Sequence, residues 1–188
     1  MYAKRQQWIS PEEYLEMERQ AETRNEYWNG QVRAKPSANR AHNLIVVNLL
    51  CHLSDQLKDK ACEVYASAMR VKVSSSNWYV YPDLAVACDD PQFEDLHEDT
   101  LLNPTVMVDV ISKSNEILDH GTRFVHYRLL PSLTDYVVIF EDAAAIEVYS
   151  RQPDEKWLLS FYEGMDVVAT LSAIGCDLVL AEVYDMIQ

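Results

Sequence analysis

A chain of 188 residues, 48% apolar and 24% charged, has the length for one domain with a sizeable core and the balance ordinary for a soluble globular protein. No apolar run approaches the ~18 residues needed to cross a membrane, and "MYAKRQQWISPEEY" lacks a signal-peptide core, so a cytoplasmic protein without a membrane partner is expected. The net charge of −14 argues against a strong non-specific grip on nucleic-acid phosphates and suits a site that takes cations, although Arg5, Arg19, Arg24, Arg33, Lys35 and Arg40 leave the first forty residues less acidic than the rest.

In chain order, Ser10, Pro11 and Glu13 of "WISPEEYLEME" predict a helix that opens with a capping box. "NEYWNGQVRAKP" predicts a hairpin turning at Asn29-Gly30, where both residues tolerate positive φ. Leu44, Val47, Leu50/Cys51, Leu53/Ser54 and Leu57 recur at helical spacing and predict a long helix over "ANRAHNLIVVNLLCHLSDQLKDK". Strands are expected at "CEVYASAM", "RVKVS" and "WYVYPDLAVAC", with "SSSN" as a turn. Residues 89–104 form an acidic surface loop in this reading, followed by a strand at "TVMVDVIS". A loop and helix over "SNEILDHGTRFVHYRLLPS" end before Pro131, then come strands at "TDYVVIF", "AIEVYS" and "KWLLSFY" and a C-terminal helix at "LAEVYDMI". Nothing divides the chain, so a single α/β domain over residues 1–188, with a mixed β-sheet flanked by helices, is expected. Cys51, Cys62, Cys88 and Cys176 have no paired spacing and are expected to be buried free thiols, and the five histidines make no zinc pattern.

Two acids stand inside apolar strands. Asp83 follows Pro82 in "YVYPDLAVACDD", and Asp109 sits between Val108 and Val110, sharing a strand face with Met107 and Ile111. On neighbouring strands the two carboxylates would repel, and a divalent cation held by hard oxygen ligands keeps both ionised. The plain alternative is an Asx-turn or bulge at Pro82-Asp83, with strand acids such as Glu63 and Glu147 simply facing water. Downstream, Ser112 and Lys113 leave the strand end, and Arg123 falls one turn into the next helix, either leaning back towards the strand or paired with an acid on the surface.

With these residues in place the chain resembles the Uma-two family of endonuclease-like proteins, whose architecture is that of the PD-(D/E)XK restriction-endonuclease-like superfamily. "NEYWNGQV", "ANRAHNLIVVNLL", "YPDLAVACDD", "PTVMVDVISKSNEILDHGTRFVHYRLLPSLTDYVVI", "AIEVYSR" and "LVLAEVYDMI" carry the likeness along nearly the whole chain. The resemblance implies a restriction-endonuclease-like core and metal-assisted hydrolysis of nucleic-acid phosphodiester bonds, DNA being the expected substrate. Glu26 matches the family's hairpin acid, Asp83 its "PD" aspartate, and Asp109 its next-strand acid, which is usually Glu. These three are the implied ligands of Mg²⁺ or Mn²⁺, with a carbonyl of Val110 or Ile111 as a further oxygen.

The lysine common two residues after that acid is Ile111 here. The family takes one instead from the helix after a D…G pair, matched by Asp119 and Gly121, and that place holds Arg123. Lys113 stands where a proline is usual. Arg123 or Lys113 is therefore expected to face the phosphate, and His42, matching a family histidine, either contacts nucleic acid or closes a hydrogen bond at the core edge. Superfamily members are often dimers, so a homodimer is one expectation, with "WLLSFY" and "IEVYS" as an exposed apolar strand pair; the plain alternative is that these residues are buried core. Asp for Glu and Arg for Lys support an alternative, a catalytically degenerate, non-enzymatic oligomeric binding protein on the same fold. Whether Glu26, Asp83 and Asp109 converge separates the two.

Overall fold

In the computed structural model, which describes residues 8–112 and 117–187, the capping box at Ser10 closes. The Ser10 hydroxyl accepts the Glu13 N–H at 3.2 Å, and the Glu13 carboxylate accepts the Ser10 N–H at 2.9 Å, starting α1 (Pro11–Glu18). The Asn-Gly hairpin forms as β1 (Asn25–Trp28) and β2 (Gln31–Ala34), with φ of 46° at Asn29 and 95° at Gly30. Gly30 is required twice over, because a Cβ there would also meet the Trp8 ring at 2.0 Å.

Asn39 caps α2 (Arg40–Leu57) by accepting the His42 N–H at 3.0 Å. The helix buries Ile45, Leu49, Leu53 and Leu57, an i, i+4 stripe rotated from the predicted one, and leaves Val47 exposed. Apolar residues lie on more than one stripe of this helix, and packing against both the sheet and the C-terminal helix decides which one turns inward.

The remaining elements are β3 (Cys62–Ala66), β4 (Arg70–Val73), β5 (Trp78–Val80), β6 (Leu84–Cys88), β7 (Thr100–Leu101), β8 (Val106–Ile111), α3 (Ile117–Tyr127), β9 (Asp135–Phe140), β10 (Ala145–Arg151), β11 (Trp157–Glu163), β12 (Val168–Leu171), β13 (Cys176–Val179) and α4 (Leu180–Val183). The larger sheet runs β11-β10-β9-β8-β6-β3 and the smaller one β2-β1-β5-β4-β7, while β12 and β13 make a hairpin that the sequence pattern missed. In the larger sheet β8 and β9 are parallel, with α3 between them in sequence, and the other pairs are antiparallel. The predicted acidic loop is not all surface, since it contributes β7 and buries Leu101.

Alternation along β8 sorts the core. Val106, Val108 and Val110 pack with α2, β12, β13 and α4, whereas Met107 and Ile111 pack with the smaller sheet and Tyr127 of α3. The larger sheet is therefore covered on both faces. Cys62 and Cys88, expected to be free thiols, are opposite each other in the β3–β6 register and are disulfide-bonded. Their spacing of 26 residues carried no hint of this, because the pairing is set by strand register. Cys51 and Cys176 are free. No helix among the described residues is long and apolar enough to cross a membrane.

Candidate functional site

The site begins at a break. "WYVYPDLAVAC", predicted as one strand, is two: β5 ends at Val80 in the smaller sheet and β6 starts at Leu84 in the larger one. Between them Tyr81, Pro82 and Asp83 have no ladder of their own, and side chains largely satisfy their backbone. Glu26 Oε1 accepts the Tyr81 N–H at 3.1 Å, Lys35 Nζ donates to the Tyr81 carbonyl at 2.6 Å, and the Asp83 N–H donates to the Val108 carbonyl at 2.9 Å. Pro82 has no N–H to satisfy, which makes it well suited to the crossing.

Leu84 pairs with Val108 at the end of the β6–β8 ladder, so Asp83 stands just beyond that ladder, near Asp109, and both line one cleft. Both aspartates are buried. Glu63 is exposed and Glu147 half-buried, each taking a hydroxyl from the tyrosine two residues on, as ordinary strand acids do.

Asp83 is richly compensated. Its Oδ2 accepts the Val110 N–H at 2.8 Å, and its Oδ1 accepts Lys35 Nζ at 2.8 Å and lies 3.2 Å from His42 Nε2. Burial works against the carboxylate, but the His42 hydrogen bond and the Lys35 charge outweigh it and hold Asp83 down at about 2. His42 is raised in turn, the Asp83 carboxylate overcoming the cost of burying the imidazolium.

Asp109 is the opposite case. Its Oδ2 accepts the Tyr136 hydroxyl at 2.9 Å, while Oδ1 has no hydrogen-bond partner among the described residues. Burial pushes its carboxyl up; Arg123 and Lys35 pull against this, and the neighbouring Asp83 and Glu26 charges add to it.

Glu26 and Arg123 are joined to each other. Arg123 Nη2 donates to Glu26 Oε2 at 2.8 Å and Nη1 to Oε1 at 3.1 Å, a bidentate fork, and Nη1 also donates to the Tyr127 hydroxyl at 2.8 Å. The Trp28 indole N–H donates to Glu26 Oε2 at 3.3 Å, and the guanidinium lies 5.7 Å from the Trp28 ring centre.

Asp83, Asp109, Lys35, His42, Arg123 and Glu141 all line one cleft at the rim of the larger sheet, at the carboxyl ends of β8 and β9 and the N-terminus of α2. Lys113 and the Asp119 side chain lie outside the described residues. Sequence reasoning missed Lys35, Glu141 and Tyr136. The hairpin register held a clue to the first: Lys35 stands one residue beyond the strand paired with the Glu26 strand, and its N–H donates to the Arg24 carbonyl at 2.9 Å. Glu141 accepts Asn39 Nδ2 at 2.9 Å, and its N–H takes the Ile111 carbonyl at 2.8 Å, so that carbonyl, expected as an oxygen ligand, is engaged in the ladder.

Residues 11–181 match the model of the Uma2 family, described as "Putative restriction endonuclease". The chain belongs to the Uma2 family. Two relatives from Synechocystis have the names Uncharacterized protein sll1609 and Uncharacterized protein slr1290. The first is 31% identical over 81% of this chain and 86% of its own, the second 30% identical over 94% and 91%. A crystal structure from Anabaena variabilis, a "putative nuclease belonging to DUF820", superposes with a TM-score of 0.79 over 96% of this chain and 99% of its own at 15% identity. The shared fold is restriction-endonuclease-like, as the Uma2 resemblance implied.

The donor set can be tested for an oxygen-seeking divalent cation. Among the described residues no group of three or more His, Cys, Asp or Glu is arranged to hold a metal ion. Glu26 offers no free oxygen in this arrangement, since Arg123 engages both. Asp109 fits, since its Oδ1 lacks a donor among the described residues; both Asp83 oxygens are engaged, Oδ2 by the Val110 N–H and Oδ1 by Lys35 and His42, so Asp83 takes a cation only where Lys35 or His42 yields its contact. Mg²⁺ is commonly held by one or two carboxylates, with water and substrate phosphate completing the shell.

Proposed function

We propose that the chain is a Mg²⁺- or Mn²⁺-dependent nuclease that hydrolyses phosphodiester bonds of DNA. The observation that carries this is the buried pair Asp83–Asp109, open to a cleft and holding an unpartnered carboxylate oxygen. The family and the shared fold support it.

In this reading Asp83 and Asp109 hold the cation, which when bound polarises a phosphoryl oxygen and makes water more acidic. Tyr136 fixes the rotamer of Asp109 through its hydroxyl. The Val110 N–H fixes Asp83 Oδ2, while Oδ1 exchanges Lys35 or His42 for the cation. Arg123 acts at one remove: it clamps Glu26, which in turn holds the Tyr81 N–H and with it the segment that presents Asp83. The expected homodimer belongs to the same reading, the edge strand β11 exposing Leu158, Leu159 and Phe161.

The test is cleavage of labelled single- and double-stranded DNA, with RNA alongside, in Mn²⁺ and in Mg²⁺, comparing wild type with Asp83→Ala and Asp109→Ala. Activity lost in both variants establishes the reading. The second reading, a binding protein that has lost catalysis, is favoured by the Arg123–Glu26 fork, which occupies the helix position where the family carries a lysine. An inert wild type that still binds DNA decides for it.

A further inference from the structure

We propose that Lys35 is the residue that meets the scissile phosphate, the part expected of Arg123 or Lys113. The phosphate's identity rests on the nuclease reading; the assignment to Lys35 rests on how the three cations of the cleft are held.

Arg123 is spent. Its two terminal nitrogens are tied to Glu26 and one of them also to Tyr127, so turning it towards substrate would leave the buried Glu26 carboxylate without its partner. His42 points Nε2 at Asp83, with Nδ1 3.9 Å from Glu141. Lys35 differs. An ammonium has three donors; two go to the Tyr81 carbonyl and Asp83 Oδ1, and the third has no partner among the described residues. The side chain is 18% exposed, enough to be reached and little enough to be held in place.

Position agrees with this. Lys35 lines the cleft that contains Asp109 and Arg123, and also the adjoining hollow lined by Arg24, Asn43 and Ser67, with Asp83 and His42 on the wall common to both. A polyanionic strand passing from one hollow to the other runs over the Lys35 ammonium, beside the carboxylates. The Asp83 contact sets the ammonium next to the acid that would hold the cation, where it neutralises charge developing on a phosphoryl oxygen. A lysine also suits the task better than an arginine: its donors rotate about a compact charge, whereas the guanidinium fork at residue 123 has a fixed match in a carboxylate.

The test uses the full chain, a fluorescein-labelled DNA oligonucleotide and four proteins: wild type, Lys35→Met, Lys35→Arg, and Lys58→Met, which makes the same charge change on an exposed helix end. Cleavage is measured in Mn²⁺, and affinity by anisotropy in EDTA at several salt concentrations. The expected result is that Lys35→Met cuts at least about a hundredfold more slowly. Its slope of log affinity against log salt falls by about one, the signature of a lost phosphate contact. Lys35→Arg keeps the slope, and Lys58→Met matches wild type. A merely structural role, holding the Tyr81 carbonyl, leaves the salt slope unmoved.

Should Lys35→Met cut within threefold of wild type, or keep the wild-type slope, Lys35 is not the phosphate residue. If Lys35→Met does not fold, Lys35→Gln takes its place, and a wild-type salt slope in that variant overturns the assignment just as well. A wild type that binds with a Lys35-dependent slope but never cuts overturns the nuclease reading and leaves the Lys35 contact standing. A wild type that neither binds nor cuts overturns both.

Discussion

Two buried acids, 57 residues apart in sequence, are treated in opposite ways. Glu26 is closed: both oxygens are taken by the Arg123 fork, an indole N–H and a backbone N–H, under the Trp28 ring. Asp83 is also paired with a cation, but Lys35 and His42 approach from the cleft side and the pair lines an opening. Both arrangements neutralise charge that burial would otherwise expel. The second leaves a Lys35 donor without a partner among the described residues and puts an under-bonded carboxylate, Asp109, beside it. The Glu26 pair holds the crossing between two sheets, and the Asp83 pair faces whatever enters.

The contrast breaks first at Asp83. Asp83→Ala is expected to reduce metal-dependent cleavage by about a thousandfold or more, roughly 4 kcal/mol of barrier. A variant that cleaves at the wild-type rate would remove the open acid from the chemistry altogether. Glu26→Gln sharpens the other side. It leaves Arg123 buried without its full counter-charge, at an expected cost of about 3 kcal/mol or more in the urea unfolding free energy. Wild-type stability combined with lost cleavage would make Glu26 a metal ligand, as the family pattern has it, and not an anchor.

The disulfide tests whether the rigidity of β6 matters at its Asp83 end. Cys62–Cys88 closes a loop of 26 residues at the far end of that strand, so Cys62→Ser is expected to lose about 3 kcal/mol of stability. Asp83 is held independently by the Val108 carbonyl and the Val110 N–H, so cleavage by folded protein should stay within about threefold of wild type. A larger fall, measured at a temperature where circular dichroism shows the variant folded, would make the strand's far end part of the site.

Local chemistry was legible from the residues. The capping box at Ser10, the Asn29-Gly30 turn and the extent of α2 follow from rules that act over a few positions. The strand parity that put Asp109 with Met107 and Ile111 also held. What depended on pairing was not. The split of "WYVYPDLAVAC" between two sheets is set by which partner strands each half meets, and hydrophobic pattern is the same on both sides of Pro82. Lys35 was one of several basic residues near the start of the chain, and its role at Tyr81 and Asp83 exists only because the hairpin folds against the crossing. Arg123 was legible as a charge near the site, but its partner was not, since the Glu26 contact spans 97 residues.

The smallest effect expected is electrostatic and lies outside the cleft lining. Asp99 pairs with Arg19 at 2.8 Å and with the buried Arg70 at 2.9 Å, tying α1 to the acidic segment before β7, and the Arg19 hydrogen bond holds its carboxyl well below the usual carboxylate range. A folded-state value below the unfolded one, about 3.9, stabilises the protein fully above that pH; the contribution declines as pH falls and is gone below the folded value. Asp99→Asn is therefore expected to cost about 1–2 kcal/mol at pH 7: the Arg19 pair is partly exposed and contributes little, and the larger share comes from the buried Arg70 losing its counter-charge. The gap from wild type should be constant from pH 8 to 5 and narrow below about pH 4, as read from urea midpoints. A gap that narrows already between pH 8 and 5 would mean that another group carries it. One that survives unchanged to pH 3 would mean that Asp99 acts through packing and not charge, so that this acid, unlike Glu26 and Asp83, would not depend on its cations at all.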